Sequence, residues 1–343
     1  MVFTVGFVGE SAWEEARWAT ISAFPATLHH PRSYRLTGTF PINLPMRTCG
    51  WPELLVSKVT YSKGGCLPCL ADNYGMDRTP TLTQKFVAEM LGTAFLTWIG
   101  AGSITAAVYL LNGAKILAFS MADLGMIALA FAFAIAAMVY TIGHISGCHI
   151  NPAVTFSLAV TRRIPWSEAV VYWVAQFIGG ILGALVIALS FGWTTAAQGP
   201  GLGATNFGGA ISLYGTGGGW VVAIVMETIG TFFLLLVIMG TAVDGRAPAG
   251  WAGLIIGLMV AGEIFAFGPI TNVALNPARA FGPALITVIL GGTYDFTHII
   301  AYFVGPLLGG TLGVLTYDFL RRARVAGTPE LGGIEKTAVE GRQ

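Results

Sequence analysis

From Gln84 onward the chain alternates long apolar runs with short polar breaks. Runs of membrane length cover 84–110, 121–143, 168–190, 220–242, 250–267 and 298–319. Each is close to the ~20 residues that a helix needs to cross a hydrocarbon core. Two further apolar stretches, 151–160 and 276–286, are too short to cross. Each opens on the same triplet, Asn151-Pro152-Ala153 and Asn276-Pro277-Ala278. Asn is a good helix cap, and Pro fits the first helical position, where its missing N–H costs nothing. The pattern predicts an all-α membrane protein with six crossing helices and two half-helices. Residues 1–80 do not share it: they are rich in Pro, Arg, His and Trp and hold no run of membrane length. No basic flank leads into an apolar core and a small-residue cleavage site, so a signal peptide is not indicated. The reading is an N-terminal extension, disordered or lying upstream of a true start at Met46 or Met76, with a small regulatory domain as the other possibility. The tail 323–343 is polar and reads as disordered.

The membrane part repeats itself. Glu89-Met-Leu-Gly-Thr-Ala-Phe95 matches Glu227-Thr-Ile-Gly-Thr-Phe-Phe233, and the two Asn-Pro-Ala triplets match each other. Gly179, Gly180 and Gly183 match Gly309, Gly310 and Gly313 at a constant offset. Each half holds three crossings, an odd number, so the second half enters the membrane from the opposite side. The result is an inverted repeat, an architecture whose paired broken helices meet at a site near the midplane. The spacing of Gly179 with Gly183, and of Gly309 with Gly313, is that of small residues at close helix contacts in lipid.

Basic residues set the orientation. Arg78, Lys85, Arg162, Arg163, Arg246, Arg321, Arg322 and Arg324 fall on one side of this topology, and Lys115 stands alone in the loops of the other. That side is cytoplasmic, both termini included. The Gly-rich loop 192–219, without Lys or Arg, then lies outside.

Composition agrees with a membrane protein. The apolar set makes up 55% of the 343 residues and charged residues only 10%, against about 25% charged in soluble domains. A net charge of +1 gives no electrostatic case for nucleic acid. Cys49, Cys66, Cys69 and Cys148 form no disulfide framework. Cys66-Leu-Pro-Cys69 has the spacing of a redox or zinc pair but lacks a second ligand pair. The histidines and cysteines make no metal set, no cofactor motif is found, and nothing at supporting spacing suggests an enzyme.

With two Asn-Pro-Ala motifs, Arg279 directly after the second and a Glu in the first helix of each half, the chain resembles the aquaporin and glycerol-facilitator family over about 84–320. Ile145-Ser-Gly-Cys-His-Ile-Asn-Pro-Ala-Val-Thr155 looks like its archaeal and bacterial members. The resemblance implies an hourglass fold, one pore per subunit and a homotetramer in the plasma membrane. Residues 81–322 then form the channel, with repeat one at 84–190 and repeat two at 220–320. Asn151 and Asn276 would offer N–H donors where two positive helix ends meet, and Arg279, costly at membrane depth, would sit in a narrow filter and repel cations.

Matching by spacing to the family motifs gives the other filter positions: Phe131, Ile264 and Val273. Water-selective members tend to have His at the place of Ile264. Glycerol facilitators tend to have a second aromatic at Val273, a small residue at Ile264 and Asp at the place of Ala280. This chain fits neither, and its filter is expected to pass water and tolerate small neutral solutes, glycerol among them. Glu89 and Glu227, expensive unless satisfied, would hold the non-helical loops through backbone N–H groups, with His149 in the same loop. Glu263 adjoins Ile264 and is expected to pair with Arg279 or face the outer vestibule. Cys148 should lie near the pore wall. His144 and His298 read as interfacial. The competing readings are a proton-coupled secondary transporter using Glu89, Glu227 and Glu263, and an adhesion protein of channel ancestry.

Overall fold

The computed structural model describes residues 79–113, 119–194 and 201–322. The extension through Arg78, with Cys49, Cys66 and Cys69, lies outside the described residues, as do Lys115 and the tail from 323.

Helix α1 (Leu82–Leu96) opens on a capping box, in which Thr81 Oγ1 accepts the Gln84 N–H and Gln84 Oε1 accepts the Thr81 N–H. It widens into a π-turn at Thr97–Ala101 and continues as α2 (Gly102–Gly113). Helix α3 (Met121–Ser146) starts on a second capping box, Ser120 with Asp123, and stops at Gly147, whose φ of 85° suits a glycine cap. The short α4 (Pro152–Val160) and the crossing α5 (Trp166–Phe191) complete the first half. The second half holds α6 (Gly208–Ile238) with a π-turn at Met239–Val243, α7 (Ala252–Thr271), the short α8 (Pro277–Ile289) and α9 (Ile299–Leu320).

Among the described residues six helical segments are long and apolar enough to cross a membrane: Leu82–Asn112, Met121–Ser146, Trp166–Phe191, Gly208–Val243, Ala252–Thr271 and Phe296–Leu320. Among the described residues there are no strands, and the architecture is the all-α inverted repeat expected from the sequence. One expectation is corrected. The segment 192–219 is not loop throughout, because α6 begins at Gly208 and bends at Gly215 (φ 70°, ψ 174°). Ile211, on this added piece, packs toward the buried Phe207 and Ala210, so a Gly-rich stretch still finds a reason to coil.

Packing repeats with the sequence. Helix α1 lies along α5 and α6 along α9, while α3 crosses to α7 and joins the halves. Each half-helix rests on the last crossing of the opposite half, α8 on α5 and α4 on α9. The matched glycines sit at these contacts. A Cβ on Gly183 would stand 2.5 Å from the Ala94 carbonyl, and one on Gly180 would stand 2.5 Å from that of Ala278. Gly309 and Gly313 approach the Thr228 and Phe232 carbonyls in the same way. Outward positions are apolar, with Phe133, Leu189, Val221 and Leu312 all more than half exposed, as a surface facing lipid requires.

Candidate functional site

The two Asn-Pro-Ala triplets meet. Asn151 caps α4 through Oδ1, which accepts the Ala153 N–H at 2.8 Å, with Pro152 as the first helical residue. Asn276 caps α8 likewise, accepting from Ala278 at 3.0 Å and Arg279 at 3.2 Å, with Pro277 in the first position. The other end of each amide reaches across. Asn151 Nδ2 donates to the Leu275 carbonyl and Asn276 Nδ2 donates to the Ile150 carbonyl, both at 2.8 Å. A side-chain amide carries two N–H donors, so each Asn has one remaining after this bond. Both helix N-termini, with roughly +0.5 charge each, converge here.

The turns before the caps are strained. Cys148 (φ 50°), Ile150 (φ 43°), Val273 (φ 45°) and Leu275 (φ 52°) all occupy the left-handed region, which β-branched residues rarely enter. Such geometry persists only where the surroundings over-determine it. Two buried carboxylates do this. Glu89 Oε1 accepts from the Ser146 hydroxyl and the His149 N–H, and Oε2 accepts from the Ile150 N–H and the Gln176 amide, at 2.6–2.9 Å. Glu227 Oε1 accepts from the Thr271 hydroxyl and the Ala274 N–H, and Oε2 from the Leu275 N–H, at 2.7–3.1 Å. Tyr172 and Tyr302 complete the pattern by donating to the Ser146 and Thr271 carbonyls. Gln176 has no counterpart on Glu227, because Pro306 stands at its repeat position.

A cavity of about 200 Å³ runs past the triplets. One end, near Ala242 and Val243, is walled by aliphatic side chains including Val139, Ile256 and Val260. Cys148, His149, Asn151 and Asn276 also line the cavity, as do Phe131, Val273 and Arg279. His149 faces it with its ring 5.1 Å from that of Tyr172 and Nδ1 3.1 Å from Thr155 Oγ1. Ile264 is not among the lining residues. It is 4% exposed in the core, but it continues by steps of four the stripe of Ile256 and Val260, the residues that share a helix face.

Arg279 is 1% exposed, its Nη1 donates to the Gly203 carbonyl at 2.9 Å, and its Cζ stands 5.2 Å over the Phe131 ring. Among the described residues Nε and Nη2 find no partner. The expected pairing of Arg279 with Glu263 does not occur. Glu263 points instead at Gly230, where a Cβ would come 3.3 Å from Oε1, and among the described residues neither of its oxygens has a hydrogen-bond partner. His298 is more than interfacial, since its ring lies 4.1 Å from that of the buried Phe207.

Three basic residues of the topology argument, Arg163, Arg246 and Arg321, come close through Asp318, Tyr317 and Asp244. Asp318 pairs with Arg163 at 2.5 Å and with Arg321 at 2.9 Å, and the adjoining Tyr317 donates to Asp244 at 3.0 Å. Hydrogen bonds from Arg246 hold the Asp244 carboxyl well below the usual carboxylate range.

Sequence reasoning missed Ser146, Thr271, Gln176, Tyr172, Tyr302 and Gly203. The offset that aligns the glycines also aligns the two tyrosines, so the repeat carried that signal. Nothing in the sequence pointed to Gly203.

The family model of the major intrinsic proteins matches residues 76–317. Aquaporin AqpM of Methanothermobacter thermautotrophicus is 42% identical over 250 residues, 70% of this chain and 98% of that protein. A probable aquaporin AqpM of Archaeoglobus fulgidus is 44% identical over 255 residues, 71% of this chain and 99% of that protein. Among solved structures, the X-ray structure of the aquaglyceroporin from Plasmodium falciparum is similar with a TM-score of 0.59 and 26% identity, over 69% of this chain and 96% of that one.

Proposed function

The chain belongs to the major intrinsic protein family of membrane channels, and from that premise we propose that it passes water and small neutral solutes such as glycerol while excluding ions and protons. The observation that carries this reading is the pair of reciprocal Asn amides, each with one N–H left beside the cavity. A water or alcohol oxygen accepting both donors must direct its own hydrogens outward, which breaks the file of hydrogen bonds that a proton would follow. A cation meets two helix N-termini and then Arg279, and loses hydration without replacement. The relatives' names, aquaporin and aquaglyceroporin, support water and glycerol as the solutes.

In this reading Phe131, Ile264, Val273 and Arg279 form the filter. With aliphatic walls and no His, it offers few donors and selects by size and charge. Residues 81–322 are the channel, and the arginine-rich end, with both termini, faces the cytoplasm. The assembly is a homotetramer in the plasma membrane. A coupled transporter is disfavoured because both oxygens of Glu89 and of Glu227 already accept buried donors. Their work is to hold the loops.

Stopped-flow light scattering on proteoliposomes tests the proposal. Water and glycerol should cross faster than in protein-free vesicles, with no current under a potassium gradient. Ionic current, or water without any other neutral solute, would overturn it in its present form.

A further inference from the structure

The constriction is held by a strap, residues 201–207, laid over the end of the bundle that carries Arg279. Leu202, fully buried, packs with Ala101, Ala184, Ile187 and Ile286. The Gly201 carbonyl accepts the Thr287 hydroxyl at 2.7 Å. Phe207 is sealed between Trp220 and His298, with ring centroids at 4.9 and 4.1 Å. Between these anchors the Gly203 carbonyl takes Nη1 of Arg279. A further tie is Asn206, whose N–H donates at 2.9 Å to Oδ1 of Asn272.

Asn272 ends α7 in the left-handed region (φ 60°), immediately before Val273. The first half makes the same helix end with Gly147 (φ 85°), two residues before the carboxylate-held turn. Glycine therefore suffices for the cap, and the amide of Asn272 is surplus to the backbone geometry. Its oxygen is spent on the strap.

We propose that Asn272 is a positioning residue of the constriction, tying the strap that holds Arg279 to the turn that carries Val273 so that these two walls keep a fixed separation. The inference rests on the reading of Phe131, Val273 and Arg279 as the narrow part of a solute pathway. Cutting the tie leaves Arg279 bonded to a strap still anchored at Leu202 and Phe207 but no longer fastened to the turn that carries Val273, so the two walls can move apart. The wider gap admits the bulkier solute more than it admits water.

The test is the glycerol-to-water permeability ratio in proteoliposomes. Asn272→Gly keeps the left-handed cap, as Gly147 shows, and deletes the acceptor. Its ratio should rise about fivefold, the size that one net hydrogen bond sets. Asn272→Ala, which lacks the acceptor at some backbone cost, should rise with it. Asn272→Asp, which keeps an acceptor and tolerates the left-handed region, should restore the wild-type ratio. A merely structural residue would lower both permeabilities together and leave the ratio alone. An unchanged ratio in folded Asn272→Gly or Asn272→Ala, or an Asp variant as altered as the Gly variant, overturns the inference while the channel reading stands. A wild-type protein that moves neither solute overturns both.

Discussion

Replacing Glu89 by Gln preserves shape and removes one acceptor. Each Glu89 oxygen now takes two donors, Ser146 with His149 on one side and Ile150 with Gln176 on the other. A glutamine has one carbonyl oxygen and one NH₂. Whichever way it turns, the NH₂ confronts the backbone N–H of His149 or of Ile150. That N–H, buried and without an acceptor, costs about 1–3 kcal/mol, and the surviving bonds lose their charge assistance at about 1 kcal/mol each. The sum is about 3–5 kcal/mol, at the upper end of single-residue effects. Glu227→Gln confronts Ala274 or Leu275 in the same way, but from three bonds rather than four. Its loss is smaller by about 1 kcal/mol, one net hydrogen bond. The assay is the thermal midpoint of purified protein in detergent, with osmotic water permeability per reconstituted channel. Both should fall in the order wild type, Glu227→Gln, Glu89→Gln. Gln variants that match the wild type in midpoint and permeability would show that the carboxylates do not hold the turns.

Other perturbations separate packing from conduction. Gly180→Val drives a side chain into the Ala278 carbonyl, and overpacking of about 1–3 kcal/mol or more should appear as a lower yield of monodisperse protein. Arg279→Ala removes the buried cation beside Phe131; glycerol flux should rise about tenfold, and a cation leak absent from the wild type should become measurable with a potassium-sensitive dye. Cys148 lines the cavity, so a mercurial that enters should block water flux, and Cys148→Ser should abolish the block. Asp244 has its carboxyl held low by Arg246. A group shifted down contributes stability above its unfolded pKa, and the contribution is lost as pH falls through the folded value. The difference in Tm between wild type and Asp244→Asn should therefore stay constant from neutral pH down to about 4 and shrink below it.

The crossings and half-helices were legible because apolar runs of fixed length, and Asn followed by Pro, are local signals. That Glu89 and Glu227 find backbone donors was legible because a carboxylate inside an apolar span needs them. Side-chain direction was harder. Glu263 and Ile264 are neighbours in sequence, yet successive residues on a helix point about 100° apart, and Glu263 turns to Gly230 rather than to Arg279. The strap was illegible. Gly201, Leu202 and Gly203 all carry positive φ, and such a segment has no periodicity to read. Its contacts with Thr287 and Asn272 join residues far apart in the chain. The π-turns at Thr97–Ala101 and Met239–Val243 left no mark in the apolar runs that contain them.

The crossed caps also bear on how the molecule is made. Asn151 and the Leu275 carbonyl it bonds are separated by 124 positions. At roughly 5–20 residues per second of synthesis, the first half waits roughly 6–25 seconds with one amide donor and one carbonyl acceptor unanswered at the level where water is scarce. Produced as two separate polypeptides, the halves would each carry that same open pair. Only their meeting closes both, which gives the membrane a strong reason to bring them together.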